Sequence, residues 1–128
     1  MKHFICKRCG NLVAAVNYTN NPLSCCSWEM DELTPKADAD KAKHLPKITV
    51  KGNLVTVKVG EDSSPHPQLP EHFIEWVCLV TDKGSQRKAL SPKGTPEVTF
   101  ALTEGERPID AFAYCNMHGL WVSGVRAE

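Results

Sequence analysis

Apolar residues in this chain fall in short β-branched runs broken by glycine, proline and charged residues, and no stretch keeps a helical period over a useful length. Residues 47–51 and 54–59 are two such runs around Gly52-Asn53, a hairpin signal. Further strands are expected over 72–81, 86–90, 98–102, 111–115 and 120–125, each short and each set off by turn residues. About seven short strands without a helix predict an all-β domain, an antiparallel sandwich similar in plan to an immunoglobulin-like domain. In the 72–81 strand, alternation places His72, Ile74, Trp76 and Cys78 on one face and Phe73, Glu75, Val77 and Leu79 on the other.

Residues 35–43 read Pro-Lys-Ala-Asp-Ala-Asp-Lys-Ala-Lys, with charge and no apolar period. The expected division is a module over 1–35, a linker over 36–43 and the sandwich over 44–128. Thirty-five residues bury too little to hold a fold unaided, so the first module needs a metal or disulfides. Lys and Arg number 15, and Asp and Glu also 15, so no global field draws nucleic acid or an anionic membrane. The chain has no apolar run long enough to span a bilayer, and its start lacks the charged and apolar pattern of a secretory signal. The six cysteines are therefore expected as reduced thiols in the cytoplasm.

Candidate chemistry lies in two clusters. Cys6 and Cys9 form a C-x2-C knuckle, followed after fifteen residues by the adjacent pair Cys25-Cys26. Four thiolates make a tetrahedral all-sulfur site suited to iron or zinc. Zinc ribbons usually supply a second C-x2-C, whereas neighbouring cysteines bend the site away from ideal geometry. Further along, His44 and His66 stand beside or between prolines and lysines, His72 opens a strand, and Cys115 precedes His118 by three residues. Four imidazoles and one thiolate fill five of six octahedral positions around a transition metal and leave one for a substrate.

Together the motifs resemble the desulfoferrodoxin family, the two-iron superoxide reductases, over nearly the whole chain. The resemblance rests on Cys6-x2-Cys9-x15-Cys25-Cys26, Lys43-His44-Leu45-Pro46, Pro65-His66-Pro67, Glu71-His72-Phe73-Ile74-Glu75-Trp76 and Cys115-Asn116-x-His118-Gly119-Leu120-Trp121. It implies a desulforedoxin- or rubredoxin-like first module with one iron on Cys6, Cys9, Cys25 and Cys26, a site that also suits zinc. It implies a second iron with His44, His66, His72 and His118 equatorial and Cys115 axial, reducing superoxide to hydrogen peroxide in oxidative-stress defence. Lys43 matches the family lysine that attracts the anion. A rubredoxin-type donor and a homodimer are implied partners. Where the family commonly carries a glutamate that can occupy the sixth position in the ferric state, this chain has Ala42, whose methyl group cannot bind a metal.

The alternative class is an iron protein that transfers or stores without turning over superoxide, and a weaker one is a zinc-stapled binding module. His3, ahead of the knuckle and without a partner motif, reads as part of a tail, and Cys78 as a small buried residue. Trp76 and Trp121 read as core or metal-shielding residues, Glu75 as structural or interfacial.

Overall fold

Strands carry most of the order in residues 1–125, the span that the computed structural model describes. The last three residues of the expected sandwich, 126–128, lie outside the described residues. The chain divides into two compact units, Met1–Thr34 and a second that begins at Pro35. Among the described residues no helix is long and apolar enough to cross a membrane.

In the first unit β1 (Lys2–Ile5) pairs antiparallel with both β2 (Leu12–Ala15) and a two-residue strand later in the unit. The hairpin of β3 (Ser24–Cys25) and β4 (Trp28–Glu29) follows, and β5 (Asp31–Glu32) completes the sheet order β2-β1-β5. Its buried core is only Phe4, Cys6 and Met30, with Ala15, Tyr18, Leu23 and Cys25 packed partly against it. So small an apolar cluster cannot offset the entropy of ordering the unit. His3 is fully buried on β1, which corrects the expectation of a tail: it belongs to a strand paired with β2, and its carbonyl accepts from the Leu33 N–H.

The second unit begins with a 3-10 helix, Ala39–His44, in which Lys41 departs from helical geometry. Eight strands follow: β6 (Pro46–Lys51), β7 (Leu54–Glu61), β8 (Ser64–Pro65), β9 (Ile74–Thr81), β10 (Gly84–Ala89), β11 (Glu97–Ala101), β12 (Pro108–Cys115) and β13 (Gly119–Gly124). They form two antiparallel sheets, β10-β9-β12-β13 and β11-β7-β6, with β8 pairing on β7. Val55, Val57 and Val59 from one sheet meet Ile74, Val77, Leu79, Ala111, Ala113 and Cys115 from the other, all fully buried, with Phe100 beside them.

The pairing of β9 with β12 slips by one residue at its end. Trp76 opposes Tyr114, but Ile74 opposes Cys115, which leaves Glu75 as the extra residue of a bulge. Ile74 therefore joins Val77 and Leu79 in the core, while Trp76 stacks on Tyr114 at 5.6 Å between ring centroids. Strict alternation from His72 fails for that reason, and His72 itself lies ahead of the strand. Cys78 is a buried free thiol.

Candidate metal centres

The four cysteines of the first unit come together through two tight turns. After Cys6 the chain folds back so that the Gly10 N–H donates to the Cys6 carbonyl and the Cys6 N–H to the Asn11 carbonyl, both at 2.8 Å. Gly10, at φ 85°, takes the left-handed conformation that this turn needs. The second turn joins β3 to β4 across Cys26 and Ser27, whose φ values of 53° and 63° are the paired positive angles of a primed hairpin turn. Side chains seldom adopt such angles, and this pair presents Cys26 next to Cys25.

All four sulfurs lie within 4.8 Å of one another. Cys9 Sγ is 3.6 Å from Cys25 Sγ, which is 3.9 Å from Cys26 Sγ. A disulfide needs about 2.05 Å, so these are free thiols. A tetrahedron with metal–sulfur bonds of about 2.3 Å has sulfur–sulfur edges of about 3.8 Å, and the observed spacings bracket that value. Hydrogen bonding, first from the Cys9 backbone N–H, lowers the Cys6 thiol to about 7. Cys26 is pushed up to about 12, above all by the hydrogen bond it shares with the Cys9 thiol. Four sulfurs this close cannot all be thiolates without a cation between them, and the donor set fits a metal.

In the second unit, three segments bring in the four imidazoles. His44 ends the 3-10 helix; His66 and His72 lie on the connection from β8 to β9; His118 lies in the three-residue turn from Cys115 to Gly119, closed by Gly119 at φ 82°. Their rings form a closed cycle of near neighbours. Centroids are 5.2 Å apart for His44 and His66, 4.8 Å for His66 and His72, 4.9 Å for His72 and His118, and 4.7 Å for His118 and His44. One nitrogen from each lies within 4.8 Å of all the others. Opposite nitrogens of a square around a metal, at bonds of about 2.1 Å, stand about 4.2 Å apart, which this span accommodates.

The tautomers agree with that geometry. His66 Nδ1 lies 2.8 Å from the Pro67 carbonyl, which can only accept, so the proton is on Nδ1 and Nε2 keeps a bare lone pair. That Nε2, and the Nε2 of His72, are buried without a hydrogen-bond partner. A buried orphan acceptor is costly, and a metal ion removes the cost. His44 turns its Nε2 to within 3.2 Å of His118 Nδ1, and Cys115 Sγ stands 3.7 Å from the same Nδ1, fully buried at the end of β12. His118 therefore presents Nδ1 and the other three present Nε2.

Burial, more than any neighbour, pushes His66 down to about 4, against the smaller opposing effect of the Pro67 hydrogen bond. Burial also lowers His44 and His72, assisted by the neighbouring imidazoles and by the Lys43 ammonium. Neutral imidazoles are the metal-binding form. His66 is buried while His118 is exposed, so the cluster opens to solvent on the His118 side.

A family model described as Desulfoferrodoxin matches residues 36–124. A desulfoferrodoxin homologue of Archaeoglobus fulgidus is 40% identical over 125 residues, covering 97% of each chain. The chain belongs to the desulfoferrodoxin family. Its fold is similar to the superoxide reductase of Treponema pallidum at a TM-score of 0.79 and 38% identity, covering 95% of each chain. The Giardia intestinalis superoxide reductase termed 1Fe-SOR is similar at a TM-score of 0.57 and 28% identity, covering 68% of this chain and all of that one. As a desulfoferrodoxin, this is an iron-binding and all-β chain.

Several residues that build the histidine site escaped sequence reasoning. Asn116 ties the Cys115–His118 turn to the His72 loop: its Oδ1 accepts from the Phe73 N–H at 3.0 Å and its Nδ2 donates to the Glu71 carbonyl at 3.1 Å. Gln68, buried between the two histidines of one loop, accepts from the Ile74 N–H at 2.7 Å and donates to the Ser91 carbonyl at 3.0 Å. Gly60, the penultimate residue of β7, is a glycine inside a strand, a pattern that can signal a close backbone approach. Lys36 was assigned to the linker, yet its backbone bonds to β13.

Proposed function

We propose that this chain reduces superoxide to hydrogen peroxide at the histidine cluster, with His44, His66, His72, His118 and Cys115 holding one iron and Cys6, Cys9, Cys25 and Cys26 a second. The observation that carries the reading is the closed cycle of four imidazoles with a buried thiol beside it and two buried Nε2 atoms lacking any partner. Its similarity in fold and sequence to superoxide reductases supports the same activity.

Iron bound there would supply the single electron that takes superoxide, with two protons, to hydrogen peroxide. The chain's own residues do the rest. Depressed basicity keeps protons off the donor nitrogens of His44, His66 and His72 at neutral pH. Trp121, 2% exposed, lies flat against the His44 ring at 4.7 Å and 20° and shields that side from water. Lys43 is exposed beside His44, and its charge reaches both His44 and His72. Such a cation raises the local concentration of an anionic substrate and can stabilise charge developing on it.

The four-cysteine site suits iron as a one-electron centre, and zinc fits the same thiolates as a structural ion. A rubredoxin-type protein is the proposed electron donor and a homodimer the proposed assembly, since a first unit with so few buried residues gains by pairing with its copy. Six free thiols suit a cytoplasmic location.

Metal analysis with pulse radiolysis tests the reading. Two irons per chain and superoxide consumption near the diffusional range are expected. Two irons without accelerated consumption would leave an electron-transfer or storage protein instead, and stoichiometric zinc in both sites would overturn the reading.

A further inference from the structure

Lys36 lies in the charged stretch that sequence alone offers as a linker, but two backbone hydrogen bonds hold it in place. Its N–H donates to the Leu120 carbonyl and its carbonyl accepts from the Val122 N–H, both at 2.9 Å, so that Lys36 lies alongside Trp121 on β13. From that fixed backbone the side chain reaches over the indole, with Nζ 5.3 Å from the ring centroid. The same Nζ donates to the His118 carbonyl at 3.1 Å.

Trp121 completes the connection. Its Nε1–H donates to that same His118 carbonyl at 3.2 Å, and the other edge of the relationship is its stacking on His44. One carbonyl thus accepts from both an ammonium and an indole, and the indole in turn supports the first histidine of the cluster. Removal of the ammonium leaves the carbonyl one donor short and the indole without the cation over its face. Groups behind metal ligands set ligand orientation in this way, and their loss commonly costs about 10- to 100-fold in metal affinity.

We propose that Lys36 is a positioning residue for the histidine cluster: by holding the His118 carbonyl and the Trp121 ring, it keeps His118 and His44 in the orientations that bring their donor nitrogens 3.2 Å apart. It touches neither donor nitrogen and acts through Trp121 and the His118 backbone. The inference rests on the reading of that cluster as an iron site.

The test uses the full-length, iron-loaded chain as wild type, Lys36→Met, Lys36→Gln and Lys36→Arg. Release of ferrous iron from the histidine cluster to a chromogenic chelator is timed, the oxidised sulfur-to-iron absorption of the cluster is recorded, and the four-cysteine spectrum reports folding in the same sample. Lys36→Met, which keeps apolar packing on Trp121, is expected to release iron about tenfold faster and to shift the absorption band. Lys36→Arg, which keeps both the charge and a donor, should restore the wild-type rate to within about twofold. If Lys36→Met does not fold, Lys36→Gln carries the comparison, since glutamine is one bond shorter and uncharged and so withdraws the donor from the carbonyl and the cation from the ring. Wild-type rate and spectrum in a folded Met or Gln variant would overturn the role of Lys36. A wild-type protein that takes up no iron at the histidines overturns the iron reading, and this role with it.

Discussion

Gly60 stands where a Cβ would lie 2.6 Å from the backbone nitrogen of His66. At φ 97° on β7, it lets the His66 strand approach closely enough for the His66 N–H to donate to the Val59 carbonyl at 3.0 Å, while its own N–H donates to the carbonyl of Leu45, next to His44. One glycine thereby sets the spacing between two imidazoles.

Gly60→Ala is therefore expected to destabilise the second unit by about 3 kcal/mol, combining left-handed strain with an overpacked contact against backbone. Urea unfolding of the iron-loaded protein measures this. An unchanged midpoint, with unchanged iron release, would show that His66 does not depend on the close approach.

Cys115 is fully buried, with its sulfur 3.7 Å from His118 Nδ1. Cys115→Ser should lower superoxide reduction more than about a hundredfold, since loss of a direct ligand exceeds the 10- to 100-fold typical of the groups behind it. The four-cysteine spectrum should remain, because the two clusters share no ligand. Wild-type turnover by an iron-loaded Cys115→Ser protein would contradict the assignment.

Cys25 is hydrogen-bonded by Asn11 Nδ2 at 3.5 Å and has Cys9 and Cys26 as sulfur neighbours. Its replacement by serine should abolish metal binding in the first unit and loosen its fold, which proteolysis of that unit would reveal. With the histidine iron pre-reduced chemically, capture of superoxide should persist within about twofold of wild type, because none of its donors lies in that unit. Collapse of that rate in a folded variant would make the four-cysteine centre an obligatory relay.

Ala42 and Lys43 precede His44 and set opposite expectations. A methyl group at 42 offers no protein ligand for a sixth position, so azide or cyanide should enter the oxidised site readily, and Ala42→Glu should weaken that entry. Lys43→Ala should slow superoxide capture by about tenfold at low salt and flatten its ionic-strength dependence. Stopped-flow or pulse-radiolysis rates at two salt concentrations measure both. Equal slopes for variant and wild type would reduce Lys43 to an ordinary surface lysine.

The depressed basicity of His66 fixes the sign of an acid effect. Burial takes its pKa from 6.5 to about 4 in the folded chain. Between those values the unfolded chain binds a proton that the folded chain does not, so folding stability declines as pH falls through the window and is insensitive to this group above it. The metal-free protein should show urea midpoints that drop from pH 7 to pH 5, and His66→Gln should reduce the slope. A flat wild-type profile would mean that the imidazole is solvated in the absence of metal.

Strands were legible wherever a β-branched run met a turn signal. The Gly52-Asn53 hairpin is the clearest case, realised as β6 and β7 with Gly52 at φ 63°. Alternation failed at Glu75 because a bulge depends on the pairing partner, and nothing within β9 announces that Ile74 will oppose Cys115. His3 misled for a similar reason: that it sits in a strand at all depends on β2 and β5 pairing with β1, which a four-residue run does not reveal. The histidine and cysteine motifs stand out because their residue types and spacing are chemically unusual. Lys36, Asn116 and Gln68 are ordinary polar residues, and their contacts exist only once distant segments meet.

Because Cys6, Cys9, Cys25 and Cys26 all come from the first unit, and the four imidazoles and Cys115 all from the second, the chain carries two separable inheritances. A gene could lose, duplicate or exchange the first unit without altering the connection that carries His66 and His72 or the turn that carries Cys115 and His118. Selection can act on the four-cysteine cluster and on the histidine cluster along different stretches of coding sequence, each change leaving the other's residues untouched.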